Sequence, residues 1–191
     1  AKFDEFSTEI IEATYNPNQT DLQSAVKQLA RQAAACVVSG TSILIISNKN
    51  ISPERVRIPS LMATGAVHQY LLRKKLRAKT SLVVEAGDVV ETHHFATLIG
   101  FGATAIYPYL AIETILHQGS GSKRSNKIQL DQYRKSIGYG LRKILSKMGI
   151  STIQSYESAQ IFEIIGLDLE VTDLCFRGTP SRISGKGFKQ I

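Results

Sequence analysis

The sequence has no tryptophan, only two cysteines, and no apolar run of the roughly 20 residues that a membrane-spanning helix needs. The cysteines, Cys36 and Cys175, lie far apart in patterns that read as buried. That separation excludes a CxxC metal framework and fits a reducing compartment. It also excludes a complete iron–sulfur site within the chain, since such a cluster takes about four thiolates. The opening stretch, AKFDEFSTEI, is acidic and lacks an apolar signal core, so no export signal is expected. The N-terminal residue is Ala1, which removes terminal-nucleophile chemistry, and neither cysteine has a base near it in sequence. No P-loop occurs. GFGATA, from Gly100, precedes an expected strand instead of following one, so its glycines serve a tight connection and not a dinucleotide.

What is present is globular material: 191 residues, 43% hydrophobic and 20% charged, enough for one proper core. The net charge of +7 raises the possibility of a nucleic-acid partner. The cations concentrate in two groups, Arg73, Lys74, Lys75, Arg77 and Lys79, then Lys123, Arg124 and Lys127. The first complements the end of an expected helix, and the second lies in a Gly/Ser-rich loop. No aromatic residues interleave with either group, so both read as solvated faces or protein-docking patches, and no nucleic acid is expected.

Hydrophobic spacing supplies the elements. Thr20 and Gln23 read as a capping box opening a helix through Leu22, Val26, Leu29, Ala33, Cys36 and Val37, stopped by Gly40. SILIISN (42–48) is a buried strand, and Pro59 opens a second helix to about Arg77, with His68 on its apolar stripe. A strand over 80–86, a helix over 91–101, a strand ATAIYPY (103–109) and a helix to Leu116 follow. GSGSKRSNK (119–127) reads as a flexible loop, and Leu130 to Met148 as a long amphipathic helix stopped by Gly149. Gly138 and Gly140 inside it imply close packing. ISTIQSY (150–156) is a fourth strand candidate, with short helices over 157–165 and 169–176 and a basic tail beyond.

Strand–helix alternation with buried strands gives an α/β fold, an incomplete (β/α)-barrel-like arrangement with a mainly parallel sheet. Four such units are about half of a (β/α)₈ barrel. The expected organisation is 1–117 as (β/α) units, 118–128 as a flexible basic loop, 129–185 as long helix, strand and short helices, and 186–191 as a tail.

Chemistry in parallel α/β folds sits at the carboxyl ends of strands. Glu85 occupies that place, with Asp88 and Glu91 close behind. Glu85 is the one candidate for a general base or metal-binding acid; the competing reading is an acidic turn complementing the next helix. His93 and His94 are adjacent, so on a helix they diverge by about 100° and cannot share a small metal. His94 shares a face with Leu98 and Phe101 and reads as a hydrogen-bonded packing residue, whereas His93 faces Thr97 and Gly100 and can reach a polar interface. His68 reads as a hydrogen-bonded core histidine. The residues alone define no catalytic, cofactor-binding or metal site.

The stretches HHFATLIGFGA (93–103), IYPYLA (106–111), SKMGIS (146–151) and GTPSRI (178–183) are long and specific. With the sequence around them, from Ile58 to Gly185, and with ILIISNKNISPERV upstream, they resemble the large chain of glutamate synthase. The resemblance covers its central domain and the run into its flavin-binding domain. It implies an oxidoreductase that forms two glutamates from glutamine and 2-oxoglutarate, in glutamate biosynthesis and ammonia assimilation. An amidotransferase domain with a terminal cysteine releases ammonia, which passes through an internal tunnel to a flavin- and iron–sulfur-containing barrel.

No cofactor is expected in this chain; FMN and an iron–sulfur cluster are implied for the complete enzyme. The implied partners are the amidotransferase and flavin-binding domains, with ferredoxin or a nicotinamide-linked reductase subunit as electron donor. The implied location is the plastid stroma or the bacterial cytoplasm. The chain departs from the family where KGFKQI follows SRISG, and Ser184 stands where the pattern has glycine. The positions matching the motifs look architectural, and the isolated chain is expected to be inactive. The alternatives are a free-standing protein- or anion-binding module of the same fold, and a metal-dependent lyase using Glu85 and His93.

Overall fold

The computed structural model describes residues 6–118 and 123–191. Its centre is a four-stranded parallel sheet of β1 (Thr8–Glu12), β3 (Ile43–Ser47), β5 (Ser81–Glu85) and β6 (Ala105–Tyr107), adjacent in chain order. The register aligns Ile11 with Ile46, Val84 and Ile106, and Glu12 with Ser47, Glu85 and Tyr107. Connecting the strands are α1 (Leu22–Val38), α2 (Ser60–Arg73) and α3 (Thr92–Gly100). A small antiparallel ladder, β2 (Thr14–Tyr15) with β4 (Val56–Arg57), sits beyond the carboxyl ends of β1 and β3.

Right-handed crossovers between strands in sequential order place every connecting helix on the same face of the sheet. Exposure follows from that. Ile11, Leu44, Ile46, Leu82 and Val84, on the helix side, are at most 1% exposed. On the other side Ile10 is 57% exposed, Ala105 is exposed, and Ile43, Ile45 and Val83 are half-buried. The sheet is thus an arc of a barrel with its inner face bare, whereas complete parallel sheets cover both faces.

Outside the helix layer run α4 (Tyr109–Gln118), α5 (Lys123–Lys147) and α6 (Ile153–Tyr156), then a parallel βαβ unit of β7 (Ile164–Leu167), α7 (Leu169–Cys175) and β8 (Ser181–Lys186). Val171, Cys175, Phe176 and Phe188 join the core formed by α1, α2 and the sheet, so the C-terminal unit is fastened to the rest. Gly65 on α2 makes that seat possible: a Cβ there would lie 2.4 Å from the Cys175 carbonyl oxygen. In α5, Gly140 lies against Thr92 as close packing requires, whereas Gly138 meets only Arg142 at 3.9 Å.

Several expectations are corrected. The first helix is capped by Asp21, not Thr20: Asp21 Oδ1 accepts from the Ser24 amide at 2.8 Å. The second helix ends at Arg73, because Lys75 takes a positive φ of 59°. The helix α5 begins at Lys123, so the KRSNK part of the expected loop is helical; nothing in it breaks a helix, and 119–122 lie outside the described residues. ISTIQSY pairs with no strand and forms one helical turn, Ile153–Tyr156, which buries Tyr156 against Phe162 and leaves Ile153 exposed. The expected helix over 157–165 does not form, since Ser158 and Gln160 adopt φ of 63° and 51°. The tail contributes β8, and Phe188 is buried, its amide donating to Glu170 Oε1 at 2.9 Å. The strand β1 carries little apolar signal in the sequence because it is an edge strand with a single buried residue, Ile11.

The two sheet faces respond differently to truncation. Ile46→Ala is expected to cost about 3 kcal/mol and Ile10→Ala less than about 1 kcal/mol, read as shifts in urea unfolding midpoint.

Candidate functional site: the carboxyl edge of the sheet

The carboxyl ends of the strands gather Glu12, Ser47, Asn48, Glu85 and the β5–α3 loop with Asp88. Glu85 Oε2 accepts from Ser47 Oγ at 2.7 Å. Asn48 bridges the next loop: its Nδ2 donates to Asp88 Oδ1 at 2.8 Å, and its Oδ1 accepts from the Gly87 amide at 2.9 Å. The other Asp88 oxygen accepts from the Ser60 amide at 3.0 Å. The helix α2 begins after Pro59 and has no side-chain cap of its own, so Asp88 supplies the missing acceptor from another segment. Gly87 is required because Tyr109 covers it; a Cβ there would lie 2.6 Å from the Tyr109 hydroxyl.

Burial raises the Tyr109 hydroxyl above its ordinary pKa; Arg57 opposes the shift, while Asp88, Glu113 and Glu85 add to it. Lys49 lies 5.5 Å from the Tyr109 ring centre and 3.9 Å from Glu113. Asn50 Nδ2 donates to Glu12 Oε1 at 2.6 Å, and Glu12 Oε2 is enclosed without a donor among the described residues. Most polar groups of this edge therefore bind one another and hold loops in place.

The histidines do not join that cluster. His94 Nδ1 accepts from the backbone amides of Val90 at 3.1 Å and Glu91 at 3.4 Å, completing a capping box with Glu91 at the start of α3. It is hydrogen-bonded as expected but half-exposed, so those bonds cap the helix and do not accompany burial. His93 is exposed beside a cleft of about 600 Å³ lined by Gly140, Lys143, Ile144 and Lys147 of α5 and by Met148 just after it.

A second polar network occupies the opposite, amino-terminal edge of β5 and β6. His68, 4% exposed, accepts from Arg77 Nε at 3.0 Å through Nδ1, which fixes the neutral ring with its proton on Nε2. The same guanidinium donates to the Thr80 carbonyl at 2.6 Å, the Gly102 carbonyl at 2.9 Å and Glu157 Oε1 at 3.2 Å. Burial draws Arg77 downward in pKa and Glu157 opposes that. Burial, with Arg77 adding, lowers His68 from 6.5 to about 4. Arg77 is thus an internal strut, not one of a run of surface cations as its sequence neighbours suggest. Arg73 and Lys74 flank Tyr70, with 5.8 and 5.7 Å to the ring centre, an aromatic that counting neighbours within the basic run passes over.

The donor set does not fit a metal cluster. No group of three His, Cys, Asp or Glu among the described residues is placed to hold a metal ion. Cys175 is buried, with its thiol pushed up to about 12, and Cys36 lies on a different helix. Tyr109 fills the space over Gly87, and the loop amide there is already bonded to Asn48. No helix among the described residues is long and apolar enough to cross a membrane.

Comparison with known proteins adds the family. The model of the glutamate synthase central domain matches residues 1–168. The ferredoxin-dependent glutamate synthase of Cyanidium caldarium is 44% identical over 188 residues, 91% of this chain and 12% of that protein. The NADPH glutamate synthase large chain of Bacillus subtilis is 45% identical over 173 residues, 90% of this chain and 11% of that one. The NADH glutamate synthase of Saccharomyces cerevisiae is 36% identical over 203 residues, 100% of this chain and 10% of that protein. The chain therefore spans only 10–12% of the length of these relatives. A solved flavocytochrome b2 (an A198G:L230A variant with sulfite bound) aligns with 78% of this chain and 33% of its own, with a TM-score of 0.55 and 12% identity. At that identity the likeness speaks for the fold alone, a portion of a larger architecture.

Two outcomes follow from the networks. Between pH 6.5 and 4 the unfolded chain binds a proton that folded His68 refuses, so stability declines as pH falls through that window, by about 3 kcal/mol in all. His68→Gln, which keeps an acceptor for Arg77, is expected to flatten that part of the curve of urea midpoint against pH. Asp88→Ala, which strips both the α2 cap and the Asn48 partner, is expected to cost about 2 kcal/mol by the same measurement.

Proposed function

Since the chain belongs to the family of glutamate synthase central domains, we propose that it is the scaffold between the amidotransferase and flavin sites of a glutamate synthase. That enzyme forms two glutamates from glutamine and 2-oxoglutarate. The observation that carries the proposal is the match of residues 1–168 to the central domain alone. The carboxyl edge supports it: at the place where this fold class keeps its chemistry, Ser47, Asn48, Glu85 and Asp88 are engaged with one another and with loop amides. In this reading Glu85 positions the edge and does not react. FMN and the iron–sulfur cluster belong to the flavin-binding domain, outside this chain.

The partners in this reading are the amidotransferase and flavin-binding domains. Residues 1–117 supply the barrel arc, and 129–185 lead toward the flavin-binding domain while remaining fastened through Val171, Cys175 and Phe176. Relatives named for ferredoxin, NADH and NADPH align over most of this chain at 36–46% identity, so the donor is chosen elsewhere in the enzyme. The setting is the plastid stroma or the bacterial cytoplasm, in keeping with relatives from Arabidopsis thaliana (chloroplastic/mitochondrial) and Bacillus subtilis.

The purified 191-residue chain is expected to be colourless and to form no glutamate from glutamine and 2-oxoglutarate. Within a complete synthase polypeptide, Glu85→Gln is expected to leave kcat within about threefold, whereas loss of a general acid or base costs about 100-fold or more. A flavin spectrum in the isolated chain, or a loss of the larger size, overturns the scaffold role.

A further inference from the structure

A cavity of about 490 Å³ opens beside the Arg77 network, between the end of α2, the turn that follows it and residues 154–160. Leu72 and Ala78 give it apolar wall, and His68, Arg77 and Glu157 give it polar groups. His68 is 4% exposed, yet the Nε2–H of its neutral ring has no acceptor among the described residues and is not sealed inside the protein. A buried donor without a partner costs stability, and this one opens on a space large enough to hold the missing acceptor. Glu157 offers the converse. Its Oε1 accepts from Arg77 and from Thr104 Oγ1 at 3.1 Å, whereas Oε2 has no donor among the described residues and is likewise unsealed.

The two groups are held side by side. Nε and Nη2 form one edge of a guanidinium's planar fork, and on Arg77 that edge holds His68 Nδ1 at 3.0 Å and Glu157 Oε1 at 3.2 Å. The wall beyond Glu157 carries backbone strain, because Ser158 and Gln160 take left-handed φ of 63° and 51° without being glycine. Such strain gathers at ligand sites. Here the Ser158 and Gln160 amides donate to the carbonyls of Ile99 and Gly100 at 3.2 and 3.3 Å, which holds the segment in place.

Charge narrows the occupant. Of the basic run around Lys74, only Arg77 lines the cavity among its charged members, and Glu157 balances it. An anion would meet the Glu157 carboxylate and a cation the guanidinium, so the site favours a neutral molecule. That molecule sets an acceptor on His68 Nε2–H beside a donor for Glu157 Oε2, with a flat apolar body against Leu72 and Ala78. A planar amide edge, carbonyl oxygen next to N–H, meets all three demands. We propose that this cavity binds a small neutral molecule carrying such an edge on an aromatic or heteroaromatic ring, either a primary carboxamide or the lactam edge of a nucleobase. The site uses residues of this chain alone and stands whether or not the scaffold reading does.

The test titrates the histidine-labelled 191-residue chain with benzamide and, separately, with uracil, following the His68 Nε2 nitrogen in long-range 1H–15N spectra. The His68 signal is expected to move and saturate with a Kd on the order of 1 mM, the range open to ligands of this size, while the other histidines stay still. Whichever probe binds more tightly identifies carboxamide or lactam as the source. Benzoate, which has the shape of benzamide and a charge, is expected to bind about tenfold more weakly or worse. Ala78→Phe fills the cavity from an exposed position and leaves the Arg77 hydrogen bonds intact; it is expected to abolish the titration at an unchanged urea midpoint. Leu72→Trp does the same from α2, where Leu72 is also exposed. No movement of His68 with either probe overturns the proposal, as does a response that survives both cavity-filling variants. Benzoate binding as tightly as benzamide overturns the neutral amide class and makes the cavity an anion site.

Discussion

One constraint organises the molecule: a right-handed crossover returns each helix to the same side of a sheet whose strands follow chain order. The helix side then becomes the core, and α1, α2 and α3 bury Ile11, Leu44, Ile46, Leu82 and Val84 against themselves. The same rule leaves the other side uncovered. The partial exposure of Ile43, Ile45 and Val83 is therefore not poor packing but the direct result of handedness acting on four consecutive strands.

The two polar edges of the sheet divide the remaining work. At the carboxyl edge, Asn48 and Asp88 tie the β3 and β5 loops together and cap α2 from a distance. At the amino edge, Arg77 satisfies His68 and two carbonyls at once, the planar fork suiting separated acceptors as a lysine would not. These networks draw on residue types that also serve active sites. What distinguishes them is that their groups are engaged with structural neighbours.

The central helices and strands were legible because their apolar residues recur at clean periods: the buried positions of α1 and α2 and the β-branched runs of β3 and β5 state their own geometry. The same periodicity puts Glu85 at a strand end, where β5 finishes. What could not be read depended on distant segments. Asp88 looks like an acidic turn residue until α2 is seen to begin without a cap. Arg77 reads as one of a basic cluster until Glu157, eighty positions on, is seen at its tip. The region after Gly149 failed for a local reason as well, because positive φ at Ser158 and Gln160 leaves no mark in composition when the residues are not glycine.

The Arg77 node also bears on how the molecule comes apart. Through one side chain it joins α2 by way of His68, the start of β5 by way of Thr80, the turn before β6 by way of Gly102, and the segment before β7 by way of Glu157. Segments that would otherwise fray singly share a buried charge that none can release alone without stranding it in an apolar setting. The amino-terminal rim of the arc is thus tied at one side chain to the segment that leads into the C-terminal βαβ piece, and that piece is itself seated on the same wall through Val171, Cys175 and Phe176.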